Sequence, residues 1–194
     1  MTERPLNVLF LCTHNSARSI LAEAILNHIG KGRFKAFSAG SSPRENQQPN
    51  PLGLQVLQHA GISTEGLRSK NWDEFGQPDA QPVRRAGQPQ ASTAPSGGSA
   101  LHEVKSVGVV MDLIITVCDD AAGEVCPYWP GHPATAHWAY SDPSAGEGSD
   151  AQKLEAFRQT LLALNRRLSL LVSLPSKKLE RTMLEHSARE LVNS

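Results

Sequence analysis

The sequence is short of cysteine, of aromatic residues, of net charge and of long apolar runs, and each shortage excludes something. Three cysteines in 194 residues are too few for a disulfide-built secreted domain, and the odd number leaves one thiol unpaired. Sparse cysteines of a reducing compartment do chemistry, bind metal, or sit in the core as small hydrophobes. Aromatic residues at 5% leave the core to aliphatic side chains. Lys plus Arg equals Asp plus Glu at 19 each, so no global field recruits nucleic acid or an acidic membrane surface, and anion recognition has to be local. The opening residues Met1 to Pro5 run into an apolar stretch far too brief for a signal peptide or a membrane span. A later apolar stretch, Leu161 to Leu174, is interrupted by Asn165, Arg166, Arg167 and Ser169. A soluble, cytoplasmic protein is expected.

What is present alternates between strand and helix. Asn7 to Leu11 is an apolar run suited to a buried strand. Ile20, Leu21, Ala24, Ile25 and Ile29 then recur on one helical face, with Gly30 at the stop. Phe34 to Ala39 predicts a second strand, and Pro51 opens a second helix through Leu54, Val56 and Leu57. Leu113 to Val117 is β-branched and predicts a third strand, and Thr135 to Tyr140 a fourth. From Asp150 to Leu174, the residues Leu154, Phe157, Leu161, Leu164, Leu168 and Leu171 stand at core spacing on a long helix. This order predicts one α/β domain over residues 1–175, with a parallel sheet covered on both faces. A Pro-, Gly-, Gln- and Ser-rich stretch, about residues 76–106, lacks apolar periodicity and reads as a flexible insertion. Beyond Pro175, Leu179, Met183, Ala188 and Leu191 among charges predict an amphipathic helical extension over 176–194, for core or dimer packing.

The chemistry concentrates in Cys12-Thr13-His14-Asn15-Ser16-Ala17-Arg18, between the first strand and the first helix. A sharp strand-to-helix turn points several backbone N–H groups into one concavity at the positive end of the helix, which suits a tetrahedral oxyanion. Arg18 adds a planar, permanently charged fork. The same field favours a Cys12 thiolate and predicts a pKa well below the free-thiol value of about 8.5. Asn15 tolerates left-handed backbone, and Ser19 can donate to the sulfur. His14 is either loop scaffolding or a proton carrier. The plainer alternative makes Cys12 a buried strand-end residue and Arg18 a surface side chain.

Val8 through Ser19 resembles the opening of the low-molecular-weight tyrosine phosphatases and of the arsenate reductases built on the same fold. The form Thr-His-Asn-Ser-x-Arg-Ser is closer to the reductases. Phe37-Ser38-Ala39-Gly40, Leu67-Arg68-Ser69-Lys70, the stretch Ile114 to Pro130, and Trp138 through Asp142-Pro143 extend the likeness to most of the chain. The resemblance implies a four-stranded parallel sheet of flavodoxin-like order 2-1-3-4 flanked by helices, with the site at the C-terminal edge of the strands. It also implies Cys12 as nucleophile for an arsenate or phosphate oxyanion held by residues Thr13 to Ser19.

Phosphatase and reductase differ in the next step. A phosphatase needs a general acid, for which Asp142 of the Asp-Pro pair is the candidate, although such a pair is otherwise an ordinary turn. A reductase needs further thiols, and Cys118 and Cys126 supply them. In the implied sheet order Cys118 leaves the same edge as Cys12, so a Cys12–Cys118–Cys126 relay can carry the disulfide outward to an external thiol reductant, thioredoxin or glutathione/glutaredoxin. No bound cofactor is expected, and weak phosphatase activity is. The thioredoxin-coupled reductases have one residue fewer between the shuttle cysteines. They also hold potassium with a carboxylate near the positions of Asn15, Glu23 and Ser38, and that carboxylate position falls on Lys70 here. Either the Lys70 ammonium replaces the cation and potassium is not required, or Lys70 is a surface lysine. Cys118, Cys126, His132 and His137 are potential zinc ligands, but their spacing departs from that of structural zinc sites, and no metal is expected. The remaining readings are a phosphatase using Cys12, Arg18 and Asp142, and an idle anion-binding module.

Overall fold

A computed structural model describes residues 4–75, 109–118, 133–180 and 182. The elements run β1 (Leu6–Cys12), α1 (Arg18–Ile29), β2 (Phe34–Gly40), α2 (Pro51–His59), a 3-10 turn (Trp72–Glu74), β3 (Leu113–Thr116), β4 (Ala134–His137) and α3 (Asp150–Ser173). The strands form a parallel sheet of order β2-β1-β3-β4. β1 lies inside it, paired from Leu6 against Phe34 to Cys12 against Gly40 on one side and from Val8 against Leu113 on the other. Val8, Leu9, Phe10 and Leu11 are fully buried, which is why this strand reads as an unbroken apolar run rather than an alternation.

The two faces of the sheet are covered differently. Val8, Phe10, Leu113 and Ile115 pack beneath α1, α2 and α3 in one cluster that includes Phe157, Leu161, Leu164 and Leu168. Leu9, Leu11, Ala39, Met111 and Ile114 face the other way, against Phe37, Trp72 and Phe75. Local signals set the helix ends. Asn50 accepts from Leu52 N–H with Pro51 in the first turn, and Ser149 with Gln152 forms a reciprocal capping box at the start of α3. Arg33, at the entry to β2, donates to the carbonyls of Val172 and Leu174 and so occupies acceptors that the end of α3 leaves open.

β4 ends earlier than its alternation suggests. Trp138 N–H still donates to Thr116 O at 2.8 Å, but the following residues leave the sheet and turn toward Arg18. Residues 176–180 are helical and Leu179 is buried in the core; the later apolar residues of the expected extension, Met183, Ala188 and Leu191, lie outside the described residues. So does the insertion. No helix among the described residues is long and apolar enough to cross a membrane.

Candidate active site

β1 delivers Cys12 to the C-terminal edge of the sheet, and five residues later the chain enters α1 at Arg18. Asn15 takes the left-handed conformation the turn needs, with φ 52°. The end of β2 lies directly against this loop: a Cβ at Gly40 would stand 2.6 Å from Thr13 O and 3.0 Å from Asn15 N, so no other residue fits. The loop's carbonyls are engaged by neighbouring segments. Cys12 O accepts from Ser41 N–H, Thr13 O from Ser42 N–H, and Ser16 O from Asn50 N–H. Asn15 O accepts from the Ser69 hydroxyl at 2.6 Å. With its carbonyls tied outward, the loop can offer N–H groups to a single concavity, and the Asn15 N–H already lies 3.1 Å from the Cys12 sulfur.

A buried chain of hydrogen-bonded side chains runs behind the loop from Lys70 to the Cys12 sulfur. Asn15 Oδ1 accepts from Lys70 N–H at 2.7 Å, which turns its amide nitrogen toward Ser19 Oγ at 2.8 Å and Ser38 Oγ at 2.9 Å. Both hydroxyl oxygens are therefore acceptors and must send their own protons elsewhere. Ser38 donates to the Glu23 carboxylate in a short hydrogen bond, and Ser19 Oγ lies 2.9 Å from Cys12 Sγ, to which it can donate when the sulfur is ionised. Lys70 closes the far end, its ammonium 3.2 Å from both Glu23 Oε2 and Arg68 O. Lys70 is only 7% exposed, so it is the buried partner of Glu23 and not a surface lysine.

The front of the site is more open and more charged. Arg18 donates from Nη1 to Tyr140 O at 2.8 Å and from Nη2 to Asp142 Oδ2 at 3.2 Å. Burial disfavours the charged form of Asp142, but the Ser144 hydroxyl and N–H, then Arg18 and His14, outweigh it and hold the carboxyl below its ordinary range. Cys12 behaves differently from the expectation of a lowered pKa. Burial pushes its thiol up, and the Ser19 hydroxyl and Asn15 N–H only partly offset that; neighbouring Cys118 adds to the rise. Cys12 is 4% exposed, and the Arg18 fork is engaged with Tyr140 and Asp142.

Cys118 emerges one strand over, where Val117 N–H donates to Leu11 O at 2.8 Å. Its sulfur is buried, 3.6 Å from the Thr13 hydroxyl. The structure thus gathers Asn15, Ser19, Glu23, Ser38 and Lys70 behind Cys12, Arg18 with Asp142 at the mouth, and Cys118 beside Thr13 on the β3 flank of β1. Cys126 and His132 lie outside the described residues, and His137 is engaged with Thr116 Oγ1 at 2.8 Å. Among the described residues no group of three or more His, Cys, Asp or Glu side chains could hold a metal. The sequence reading missed Tyr140, which acts through a carbonyl that any residue carries. It also missed Ser144, although a serine two residues after an aspartate in a turn is a usable signal.

A cysteine opening a strand-to-helix loop at the C-terminal edge of a 2-1-3-4 parallel sheet is the arrangement of the low-molecular-weight phosphatase class of fold. The low molecular weight phosphotyrosine protein phosphatase family matches residues 7–80. An arsenate reductase of Bacillus licheniformis is 30% identical over 153 residues, 78% of this chain and 84% of that protein. One from Bacillus subtilis is 26% identical over 161 residues, 83% and 91% of the two chains. The crystal structure of an arsenate reductase from Archaeoglobus fulgidus superposes with a TM-score of 0.54 at 25% identity, covering 86% of this chain and 99% of that one. A low molecular weight protein tyrosine phosphatase from T. tengcongensis shares the fold, with a TM-score of 0.57 at 20% identity over 86% and 97% of the chains. The chain belongs to the arsenate reductases of the low-molecular-weight phosphatase superfamily.

Proposed function

We propose that the protein reduces arsenate to arsenite by a thiol relay from Cys12 through Cys118 to Cys126. The observation that carries this is the placement of Cys118 beside the Cys12 loop, its sulfur 3.6 Å from the Thr13 hydroxyl. The Cys12 thiolate attacks arsenic, a protonated arsenate oxygen leaves as water, and a sulfur–arsenic bond forms. The Cys118 thiolate, to which the Thr13 hydroxyl can donate, then attacks Cys12 Sγ. A Cys12–Cys118 disulfide forms, the electron pair of the broken sulfur–arsenic bond passes to arsenic, and As(III) departs as arsenite. Cys126 attacks Cys118 and releases Cys12, and an external dithiol reduces the Cys118–Cys126 pair. The sum is arsenate plus two thiols giving arsenite, a disulfide and water. No bound cofactor enters the scheme; the reductant is thioredoxin or glutathione/glutaredoxin, and the setting is the reducing cytoplasm.

Two further observations support reduction over phosphate-ester hydrolysis. An Asp142 carboxyl held below its ordinary range is ionised near neutrality, whereas a leaving-group acid has to be protonated. The Lys70 ammonium on Glu23 stands where the resemblance to the reductases implies a potassium ion. The test is arsenate-dependent NADPH oxidation coupled first to thioredoxin and its reductase, then to glutathione and glutaredoxin. Turnover is expected with one of the two, and it should be lost in Cys12→Ser, Cys118→Ser and Cys126→Ser proteins. Full arsenate turnover in Cys126→Ser would overturn the three-thiol relay. Strong aryl-phosphate hydrolysis surviving Cys118→Ser, with no arsenate turnover by the parent, would make the protein a phosphatase.

A further inference from the structure

The anion clamp Arg18 is itself held, and what holds it reaches back to helix α3. Arg18 uses two of its five N–H groups on Tyr140 O and Asp142, which leaves three for an oxyanion in the loop. The orientation of those three is therefore set by the segment 138–142, which leaves the sheet after Trp138. On the outer side of that segment stands Arg167, one residue before the buried Leu168 of α3. Its guanidinium carbon lies 5.4 Å from the ring centroid of Trp138 and 5.4 Å from that of Tyr140. Tyr140 is thus gripped twice: its carbonyl by Arg18, and its ring by Arg167.

We infer that Arg167 is a positioning residue for oxyanion binding, fixing Trp138 and Tyr140 so that the Tyr140 carbonyl and Asp142 hold Arg18 ready for the anion. A guanidinium over two aromatic faces is attracted by both rings, and α3 is a firm anchor because Leu164 and Leu168 are fully buried. Releasing the rings leaves the peptide at Tyr140 free to move, and Arg18 then has to be ordered at the moment of binding. Arg167 is exposed, so replacing it opens no cavity in the core.

The inference rests on the oxyanion reading of the Cys12 loop and is tested without relying on reduction. Inorganic phosphate is titrated calorimetrically into the full-length protein and its Arg167→Ala, Arg167→Met and Arg167→Lys forms, and arsenate turnover is measured in parallel. Arg167→Ala and Arg167→Met are expected to weaken phosphate binding about fivefold and to raise the arsenate KM to match, with kcat within about twofold and an unchanged thermal midpoint. Arg167→Lys should restore part of the loss. An unchanged phosphate Kd in the alanine and methionine proteins would overturn the inference. So would a lysine protein as weak as the alanine one, or a loss of affinity that tracks a fall in thermal midpoint. Phosphate failing to bind the parent removes the oxyanion reading and this inference together. A parent that binds phosphate but does not reduce arsenate refutes the proposed reaction and leaves the role of Arg167 to be judged on affinity alone.

Discussion

The back and the front of the Cys12 loop are built on opposite principles. Behind the sulfur, Ser19, Asn15, Ser38, Glu23 and Lys70 are buried and joined by hydrogen bonds. In front, Arg18 and Asp142 bring charge to a partly exposed mouth, and Arg18 engages carbonyl and carboxylate with N–H groups to spare. The back therefore fixes where the sulfur sits. The front supplies charge that a ligand can recruit. Such a division suits a nucleophile that must form a bond to arsenic, then a bond to a second thiol, without its own position drifting.

The largest effect should come from breaking the back wall. Lys70→Met strands the Glu23 carboxylate in the core and is expected to cost about 3–5 kcal/mol in urea unfolding. The Glu23→Gln/Lys70→Met double replacement should recover much of that; a double protein no more stable than Lys70→Met would mean that the pair is not one unit. Next comes Ser19→Ala, which removes a hydrogen bond that favours the Cys12 thiolate and should raise the Cys12 pKa further. The iodoacetamide alkylation profile should move to higher pH accordingly, and an unmoved profile would show that Ser19 is not donating.

At the front, Asp142→Asn should lower arsenate turnover by less than about tenfold, against the 100-fold or greater loss expected of a general acid. The same replacement should lower stability near neutrality and leave it unchanged in strong acid. A carboxyl whose pKa is depressed in the fold stabilises it above the unfolded value of about 3.9, and that contribution disappears as pH falls through the lower folded value. Urea midpoints should therefore separate parent from Asp142→Asn near pH 6 and converge near pH 2, by a small amount because the carboxylate is about a third exposed. Smallest of all, added potassium should change arsenate turnover by less than about twofold, since Lys70 already neutralises Glu23. A strong potassium activation would contradict that assignment.

Much of this arrangement is legible in the sequence, for reasons that also mark the limits. β1 and β3 are buried on both faces and announce themselves as apolar runs, and α3 carries its core stripe and its capping box locally. The order strand, Cys12, loop, Arg18, helix is itself the physical specification of an anion cradle. Lys70 could be weighed as a charge partner only through family resemblance, because Asn15 and Lys70 are brought together by the sheet and not by spacing. The direction of the Cys12 shift was not legible. Spacing shows the charges that favour a thiolate but not the burial that opposes it. The end of β4 escaped for a related reason: residues Trp138 to Tyr140 keep a strand-like pattern, while their partners Arg18 and Arg167 lie on other elements.

The Asn15 amide bears on how the protein ages. Hydrolysis of that one amide to a carboxylate would keep the shape and exchange a nitrogen for an oxygen. The new group could still accept from Lys70 N–H, but it would face Ser19 Oγ and Ser38 Oγ with lone pairs where it had offered protons. Ser19 would be drawn to turn its hydroxyl away from Cys12, and a second negative charge would enter the pocket that Lys70 keeps neutral with Glu23. A stored sample could therefore lose its nucleophile while every cysteine in it remained reduced.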